Sequence, residues 1–246
     1  MNVLELFACA GGASRGLVAA GNVVVATDIE PKYLSKNPIG RDPHGDTPQG
    51  GKNAPVRQPW EWVVENSLCS AEVLGWEQAL ETWGSWADWV WASPPCQNYS
   101  AAKGFAGNGY DSLIEPVREA LTDLGKPYVI ENVEGARSHL KNPVTLCGAS
   151  FYGLRVYRHR LFESNMNLTQ PVHYPHKQES VKMGRPAELG KRFDCQGNVS
   201  NLPISKAGMG YDPAEVIGQR VLSESIPPQY AFHIANEMER CISESA

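Results

Sequence analysis

A short apolar run from Asp88 to Ala92 ends abruptly at Pro94 and Pro95, and Cys96 follows at once. The run predicts a buried strand, because prolines cannot continue a hydrogen-bonded ladder and fix the chain in an extended turn. In an open α/β sheet, ligands bind beyond the carboxyl ends of the strands, so Cys96 is a candidate nucleophile. The alternative is a small buried apolar residue, which is the usual role of a cysteine without a disulfide.

The chain has 246 residues, enough for one large domain or for one large and one small domain. Its hydrophobic content of 42% and charged content of 20% are ordinary for a globular protein with a real core. No apolar run approaches the roughly 18 residues of a membrane span. The run from Val3 to Ala10 is interrupted by Glu5 and lacks a preceding basic region, which argues against a signal peptide. We therefore expect a cytoplasmic monomer with no membrane partner.

The cysteines give no metal signature. Six of them stand at positions 9, 69, 96, 147, 195 and 241, and none forms a CxxC pair, so a reducing cytosol is the simplest setting. A metal site could be assembled on paper from Cys147, His173, His176 and Cys195, but their spacing is irregular. We therefore predict no metal site.

Charge is distributed unevenly along the chain. Residues 1–134 carry 9 basic and 17 acidic residues, whereas residues 135–220 carry 12 basic and 6 acidic residues, and the whole chain has a net charge of -5. The basic stretch would suit a phosphate backbone, but a solvated surface with uneven charge explains it equally well.

A glycine-rich turn joins the first predicted strand, Val3 to Phe7, to a helix that opens within Ala8 to Leu17. Its glycines allow backbone amides to approach a ligand, and a helix start carries a partial positive charge. Val23 to Thr27 is predicted as the second strand, closed by Asp28. Nucleotide-binding α/β folds hold ribose hydroxyls with an acidic residue in this place, although a GxGxxG fingerprint is absent here. Asp28 is therefore predicted to bind ribose, the alternative being a helix N-cap.

The middle of the chain alternates between loops and helices. Glycine, proline and asparagine clusters mark the loops, and apolar spacing at positions 113, 114, 117, 121 and 124 marks the clearest helix. We predict a long surface loop over Lys36 to Pro59, a helix near Ala71 to Trp83, a flexible loop over Ala101 to Tyr110, and a helix over Ser112 to Leu124.

Pro127 to Ile130 is the next predicted strand, and Glu131 stands at its carboxyl end. Apolar neighbours and Asn132 predict that Glu131 is partly buried with a raised pKa, rather than an ordinary surface acid. Strand-like runs follow at Val144 to Gly148 and Arg155 to Phe162. The second run carries three arginines that suit anion contacts, or else form an exposed basic strand edge.

The last part of the chain divides into an irregular and a regular segment. From Glu163 to Asp212 it is polar, rich in proline, glycine and histidine, and shows little periodicity. Order returns from Ala214 to Ile242, where a helix is predicted to start near Pro227. Its apolar face is formed by Tyr230, Ile234, Met238 and Cys241.

Five separated segments, taken in this order, resemble the motifs of the cytosine-5 DNA methyltransferase family. They are LFACAGGASRGL, SPPCQNYS, PYVIENV, YRHRLFE and ESIPPQYAFHIA. The resemblance implies an α/β fold, a Rossmann-like S-adenosylmethionine-dependent methyltransferase sheet with helices on both faces and a small irregular target-recognition region. It divides the chain into a catalytic and cofactor-binding domain (1–162), a target-recognition region (163–212) and a segment returning to the catalytic domain (213–246). The amino-acid sequences of these motifs are most similar to those of small DNA methylases encoded by phages of actinobacteria.

The resemblance implies methyl transfer from S-adenosylmethionine to carbon 5 of a flipped cytosine in DNA. Adding the Cys96 thiolate to carbon 6 makes an enamine whose carbon 5 can attack a methyl sulfonium. Glu131 would protonate or hydrogen-bond ring nitrogen 3, and Arg160 would bind the exocyclic oxygen. Arg158 would lie nearby, on phosphate or on the catalytic loop.

The resemblance also implies two sets of binding residues. The cofactor set is Phe7, Ala8, Gly11, Gly12, Asp28, Ile29, Ser67 and Pro94. The DNA set is Gln97, Ser100, Lys191 and Arg192. Apart from the resemblance, the basic residues of the 163–212 region suit contacts with phosphate; besides Lys191 and Arg192 they are Lys177, Lys182, Arg185 and Lys206. Because the target-recognition region is short, we expect a target of about two to four base pairs and salt-sensitive binding.

Three positions depart from the family pattern. Val156 replaces a glutamine, Asn66-Ser67 replaces an aspartate near the cofactor adenine, and Glu224 replaces an asparagine of the closing motif. Two other interpretations stay open. The short recognition region and acidic total charge keep an RNA or free-nucleotide cytosine methyltransferase in consideration. A catalytically silent nucleic-acid-binding protein is the other, against which the intact Cys96 and Glu131 argue.

Overall fold

The computed structural model describes residues 1–9, 11–30, 68–99, 112–176, 180–181, 191–193, 202–211 and 219–245. Seven strands form one sheet in the order β3-β2-β1-β4-β5-β7-β6. Neighbours among β1 to β5 are parallel, and β7 is antiparallel to both β5 and β6. The strands are β1 (Asn2–Leu6), β2 (Val23–Asp28), β3 (Cys69–Val73), β4 (Trp89–Ala92), β5 (Tyr128–Val133), β6 (Val144–Leu146) and β7 (Arg160–Ser164). A separate parallel pair consists of β8 (Ser180–Val181) and β9 (Arg192–Phe193).

Helices cover both faces of the large sheet, as predicted. They are α1 (Gly12–Ala19), α2 (Trp76–Trp83), α3 (Ile114–Leu124), α4 (Leu202–Gly208), α5 (Gln219–Glu224) and α6 (Pro228–Ser245), with 3-10 helices at Glu134–His139 and Gly148–Ser150. Within the described ranges, no helix combines the length and apolar character needed to cross a bilayer.

Alternate strand residues enter two separate cores. Val3, Trp89 and Trp91 pack on the side of α1 and α6. Leu4 and Val90 pack on the opposite side, with α2 and α3. All four residues of β4 are buried, because a strand covered on both faces presents apolar side chains to each.

The C-terminal helix α6 packs against α1. Its predicted apolar face is confirmed, since Tyr230, Ile234 and Met238 are fully buried in the core that also contains Val3 of β1. A Cβ atom added at Gly16 of α1 would lie 2.1 Å from the carbonyl oxygen of Pro228. Glycine at this position therefore allows the two helix backbones to approach.

Two predicted elements differ in the structure. The helix expected near Ala71 to Trp83 is wrong in its first part, where β3 pairs with β2 as an edge strand and only α2 follows as a helix. The strand-like run from Arg155 begins as β7 only at Arg160, because Arg158 has a φ of 35°, outside the extended region. The loops expected over Lys36 to Pro59 and Ala101 to Tyr110 lie outside the described residues.

The boundary predicted after residue 162 falls inside β7. Glu163, expected to open the target-recognition region, is instead a buried residue of β7 and forms a bidentate pair with Arg118 at 2.6 and 2.7 Å. The backbone N–H of Lys141 donates to the same carboxylate at 2.7 Å. The large sheet therefore includes Ser164, two residues beyond the predicted boundary.

Candidate active site

A cavity of about 530 Å³ opens at the carboxyl ends of the parallel strands. This volume lies within the range of roughly 300–1,000 Å³ typical of small-molecule sites. Because β7 is antiparallel, its first residue reaches the same edge of the sheet. The lining includes Phe7 and Ala8 after β1, Asp28 and Ile29 after β2, Pro94 to Gln97 after β4, Glu131 on β5 and Arg160 on β7.

The loop carrying Cys96 is held from two sides. The backbone N–H of Ser93 donates to the carbonyl of Leu6 at 3.2 Å, which extends the β1 to β4 pairing by one step. Asn132 of β5 donates its side-chain amide to the carbonyl of Pro94 at 2.9 Å. Gly135 adds a third constraint, since a Cβ there would lie 2.0 Å from the carbonyl oxygen of Tyr99. The ends of β1, β4 and β5 therefore fix the position of Cys96.

Glu131 and Arg160 form a buried ion pair on neighbouring strands. Arg160 Nε lies 3.1 Å from Glu131 Oε1, and the side chains are 13% and 10% exposed. Arg160 Nη1 also donates to the carbonyl of His159 at 2.9 Å. In the part of the chain that the structure describes, Nη2 has no hydrogen-bond partner, so this edge of the guanidinium can meet a ligand oxygen.

The predicted rise in the pKa of Glu131 is confirmed. Burial raises the pKa of this carboxyl, while the Arg160 charge, a hydrogen bond with Ser93 and the Arg158 charge lower it without cancelling the effect of burial. Desolvation penalises the charged form more than these partners favour it. Glu131 thus holds a proton more firmly than an ordinary glutamate.

Cys96 and Glu131 influence each other's protonation. Burial raises the pKa of the Cys96 thiol, Arg160 and Arg158 lower it, and the charges of Glu131 and Glu224 raise it further. Protonating Glu131 removes one of the two repulsive charges, which favours the Cys96 thiolate. The thiolate nucleophile and the protonated acid therefore support each other in one cavity.

Arg158 binds backbone carbonyls of the segment that borders the cavity. Its Nη2 donates to the carbonyl of Ser223 at 2.6 Å and to that of Ser225. It is absent from the residues that line the cavity, whereas Glu224 and Ser225 line it. Arg158 holds the segment between α5 and α6 against the site, and its charge lowers the pKa of Cys96.

Asp28 lies at the cavity and also binds the backbone on either side of it. It lines the cavity, but its Oδ2 accepts the backbone N–H of Cys9 and its Oδ1 accepts that of Glu30, each at 2.9 Å. The second contact is a local turn of the kind that short acidic side chains form. Asp28 thus orders the two loops that border the cavity.

The first glycines serve the fold as well as the cavity. Gly11 adopts the left-handed conformation with a φ of 72° at the start of α1. Gly12 lines the cavity, yet a Cβ there would lie 2.6 Å from Tyr211 Oη and 2.8 Å from the carbonyl oxygen of Ile226. Glycine at position 12 was expected because a ligand would approach it closely. The structure shows that the C-terminal segment also approaches it closely.

Glu5 is a site residue that the sequence analysis missed. This β1 residue lines the cavity, is 2% exposed and accepts a hydrogen bond from the hydroxyl of Ser14 on α1. Burial raises the pKa of its carboxyl to about 8, against the opposing effect of Ser14. The sequence feature that could have identified Glu5 is a single acid within a mostly apolar strand.

Two of the expected phosphate contacts point inward. Arg192 Nη1 donates to the carbonyls of Gly148, Leu154 and Val156 at 3.3, 2.9 and 3.2 Å. Lys206 on α4 is 6% exposed. We therefore correct the expectation that the side chains of Arg192 and Lys206 are available to bind phosphate.

The remaining predicted contacts are partly described. Gln97 lines the cavity, and its buried Oε1 has no hydrogen-bond partner within the described ranges. The Lys191 side chain is half-buried and its carbonyl accepts Arg155 Nη2 at 3.2 Å. Ser67, Ser100 and the other expected phosphate contacts, Lys177, Lys182 and Arg185, lie outside the described side chains.

Comparison with known proteins gives a fold. No model of a protein family matches the chain, and no curated protein matches it. Among solved structures, the chain is similar to the Dnmt2 methyltransferase of S. pombe, with 13% identity and a TM-score of 0.50 over 98% of each chain. The protein has a Rossmann-like methyltransferase fold.

Two further solved structures align over less of the chain. A triple mutant of Spodoptera frugiperda DNMT2 is 16% identical, with a TM-score of 0.37, over 66% of this chain and 49% of that chain. The fibrillarin/Nop5p complex is 14% identical, with a TM-score of 0.37, over 66% of this chain and 70% of that chain. In the methyltransferase fold, the cavity described above lies at the carboxyl edge of the sheet, where open α/β sheets bind ligands.

Proposed function

We propose that the protein transfers a methyl group from S-adenosylmethionine to carbon 5 of cytosine in DNA. The observation that carries the proposal is a single cavity lined by Cys96, Glu131 and Arg160 at one end of the sheet edge and by Asp28 near the other. A thiol, a carboxyl with a raised pKa and a guanidinium together match what carbon 5 methylation requires.

The volume and the polar lining of the cavity support S-adenosylmethionine as the cofactor. Its roughly 530 Å³ could hold the cofactor beside a base. The loops after β1 and β2, with Asp28 and the buried Glu5, would hold the nucleoside and amino acid portions. When bound, the cofactor supplies an electrophilic methyl sulfonium.

The protein's own residues would prepare the cytosine for attack. The Cys96 thiolate forms a bond to carbon 6 while Glu131 donates its proton to ring nitrogen 3. The double bond then lies between carbons 4 and 5, and this enamine makes carbon 5 nucleophilic. Arg160 Nη2 would bind the exocyclic oxygen, while its Nε keeps the Glu131 carboxyl in place. After methyl transfer, ring nitrogen 3 returns its proton to the Glu131 carboxylate and solvent water takes the carbon 5 proton. Departure of the Cys96 thiolate then restores the aromatic ring.

A cytosine within a duplex cannot reach a cavity at the edge of a sheet without leaving the base stack. Gln97 lies one residue beyond the nucleophile, and its buried Oε1 is suited to accept a hydrogen bond from the extruded nucleotide. The Pro94 to Gln97 loop would therefore contact both the base and its surroundings.

RNA is the second candidate acceptor. Arg192 donates to backbone carbonyls and Lys206 is buried, so two of the expected phosphate contacts are lost. The chain also has a net charge of -5. Both observations reduce the positive charge available to neutralise phosphates, so they favour an acceptor that makes fewer phosphate contacts than a long duplex. A free nucleotide would need the least of this surface.

Transfer from labelled S-adenosylmethionine to duplex DNA, a tRNA transcript and dCMP tests the proposal. We expect label at carbon 5 of cytosine in duplex DNA, with Cys96→Ala inactive as the control. Label only in the tRNA or the nucleotide would replace DNA as the acceptor while keeping the chemistry. Absence of label in all three acceptors, with retained binding to nucleic acid, would favour the silent binding protein and refute the proposal.

A further inference from the structure

Four side chains capable of binding a metal meet next to the paired ends of β6 and β7, outside the lining of the cavity. They are Cys147, His159, His173 and His176, and their ligand atoms all lie within 4.8 Å of one another. Cys147 Sγ is 3.3 Å from His176 Nε2, and His159 Nε2 is 3.0 Å from His173 Nε2. Three of these residues were considered from the sequence, but His159 was missed and Cys195 lies outside the described residues.

The spacing of these atoms is close to that of a tetrahedral zinc site. Zn–N bonds of about 2.05 Å and a Zn–S bond of about 2.3 Å place ligand atoms about 3.3–3.6 Å apart at tetrahedral angles. The two short contacts are already at or just below this separation, and the remaining pairs are within 4.8 Å. His173 and His176 are exposed, so their side chains can make the small adjustment that a bound ion requires.

We propose that Cys147, His159, His173 and His176 bind one Zn²⁺ ion. Thiolate and imidazole are the ligands that zinc prefers, and four protein ligands fill its tetrahedral shell. Because no position remains for water or substrate, the site is structural rather than catalytic.

The backbone segment that carries two of the histidines is already held in place. Thr145 of β6 and Gln170 exchange hydrogen bonds of 2.6 Å in both directions, through the Gln170 side chain. Ser150 Oγ donates to the carbonyl of Val172 at 2.7 Å. The backbone N–H of Ala149 points at Cys147 Sγ from 3.4 Å, a contact that stabilises a thiolate. The ligands are thus brought together before any ion binds.

The ion would join three parts of the protein. Cys147 follows β6, His159 immediately precedes β7, and His173 and His176 lie in the segment that leads towards β8. The carbonyl of His159 also accepts Arg160 Nη1 at 2.9 Å. Zinc would therefore fix the base of the target-recognition region to the strand that carries Arg160. The proposal does not depend on methyl transfer, and metal binding can be measured without it.

The competing explanation is aromatic packing alone. Tyr157 stacks on His176 with ring centroids 3.7 Å apart and an interplanar angle of 15°, and His159 lies 5.0 Å from His176. Such stacking needs flat rings but no thiol and no particular ring nitrogen. Stoichiometric binding of a metal ion, and its loss when a ligand atom is removed, distinguish the two explanations.

The experiment uses the full chain, stripped with a chelator under reducing conditions and then given Zn²⁺ alone. We expect one zinc per chain after dialysis and a higher melting temperature. His173→Gln and His176→Gln, both exposed, should each weaken binding at least about tenfold, the loss that even an outer-shell partner can cause. His139→Gln is the control for a histidine outside the cluster.

Co²⁺ tests the thiolate ligand directly. The Co²⁺-loaded chain should show a thiolate-to-metal absorption band that is lost in Cys147→Ser and kept in Cys69→Ser. If the wild-type chain retains no stoichiometric metal, or if both histidine variants bind as tightly as wild type, the cluster is aromatic packing and the proposal fails. These histidine variants keep the test valid if Cys147→Ser does not fold.

Discussion

Replacing Glu131 with glutamine tests the chemistry of the cavity most directly. The amide keeps the volume of the side chain and can accept a hydrogen bond from Arg160 Nε, which lies 3.1 Å from the carboxylate. It cannot deliver a proton. Glu131→Gln should therefore separate proton donation from the architecture of the site.

The expected loss of rate is that of removing a general acid from a buried ion pair. An ionised pair 3.1 Å apart attracts by about 5 kcal/mol at an effective dielectric constant of about 20. Burial still raises the pKa of Glu131 against this attraction, so the protonated acid is favoured relative to an ordinary glutamate. Losing general acid catalysis typically lowers a rate by about 100- to 10,000-fold, which corresponds to about 3–5 kcal/mol in the activation barrier.

The dependence on pH gives a second signature. Turnover requires the Cys96 thiolate and the protonated Glu131 together, so wild-type kcat/KM should be bell-shaped with pH. Without the carboxyl, the residual activity should rise to a plateau. Since the Glu131 charge raises the pKa of Cys96, alkylation of the thiol by iodoacetamide should also move to lower pH in the variant.

Single-turnover methyl transfer, measured across pH, is the assay. The exposed Glu134, which pairs with Arg137, provides Glu134→Gln as a matched control on the residue three positions later. DNA binding and melting temperature should change little in Glu131→Gln. Turnover within about tenfold of wild type, together with a persistent bell-shaped profile, would refute the assigned role of Glu131.

Three further results are expected. Cys96→Ala should lose the covalent adduct with 5-fluorocytosine DNA, seen by denaturing electrophoresis, while keeping cofactor affinity; adduct formation by the variant would exclude this nucleophile. Asp28→Ala should weaken cofactor binding by about 30-fold or more, since each lost charge-assisted hydrogen bond contributes about 1.5–3 kcal/mol; an unchanged dissociation constant by calorimetry would leave Asp28 with loop ordering alone. Glu163→Ala should reduce the free energy of unfolding by about 3–5 kcal/mol because it leaves the buried Arg118 charge unpaired. Urea denaturation measures that loss, and Glu134→Ala, which breaks an exposed pair, should change the free energy by no more than about 1 kcal/mol.

The sequence alone determined the elements that depend on local pattern. Four apolar residues before two prolines define β4 and put Cys96 just beyond its end. Helical spacing of Tyr230, Ile234 and Met238 marks the buried face of α6. The run before Glu131 places that acid at the carboxyl end of a strand, although β5 continues to Val133. Strand ends and periodic faces arise from neighbours in the chain, so they can be predicted from it.

Only the tertiary structure decided which partners the polar side chains chose. Arg192 and Lys206 have the composition of phosphate contacts, but they turn inward. Glu163 lies in a polar stretch of sequence and yet pairs with Arg118, 45 residues away. His159 lies beside Cys147, His173 and His176, whose spacing along the chain shows no regularity. A long charged or aromatic side chain can satisfy its bonding in several directions, and only the packing of distant segments removes all but one.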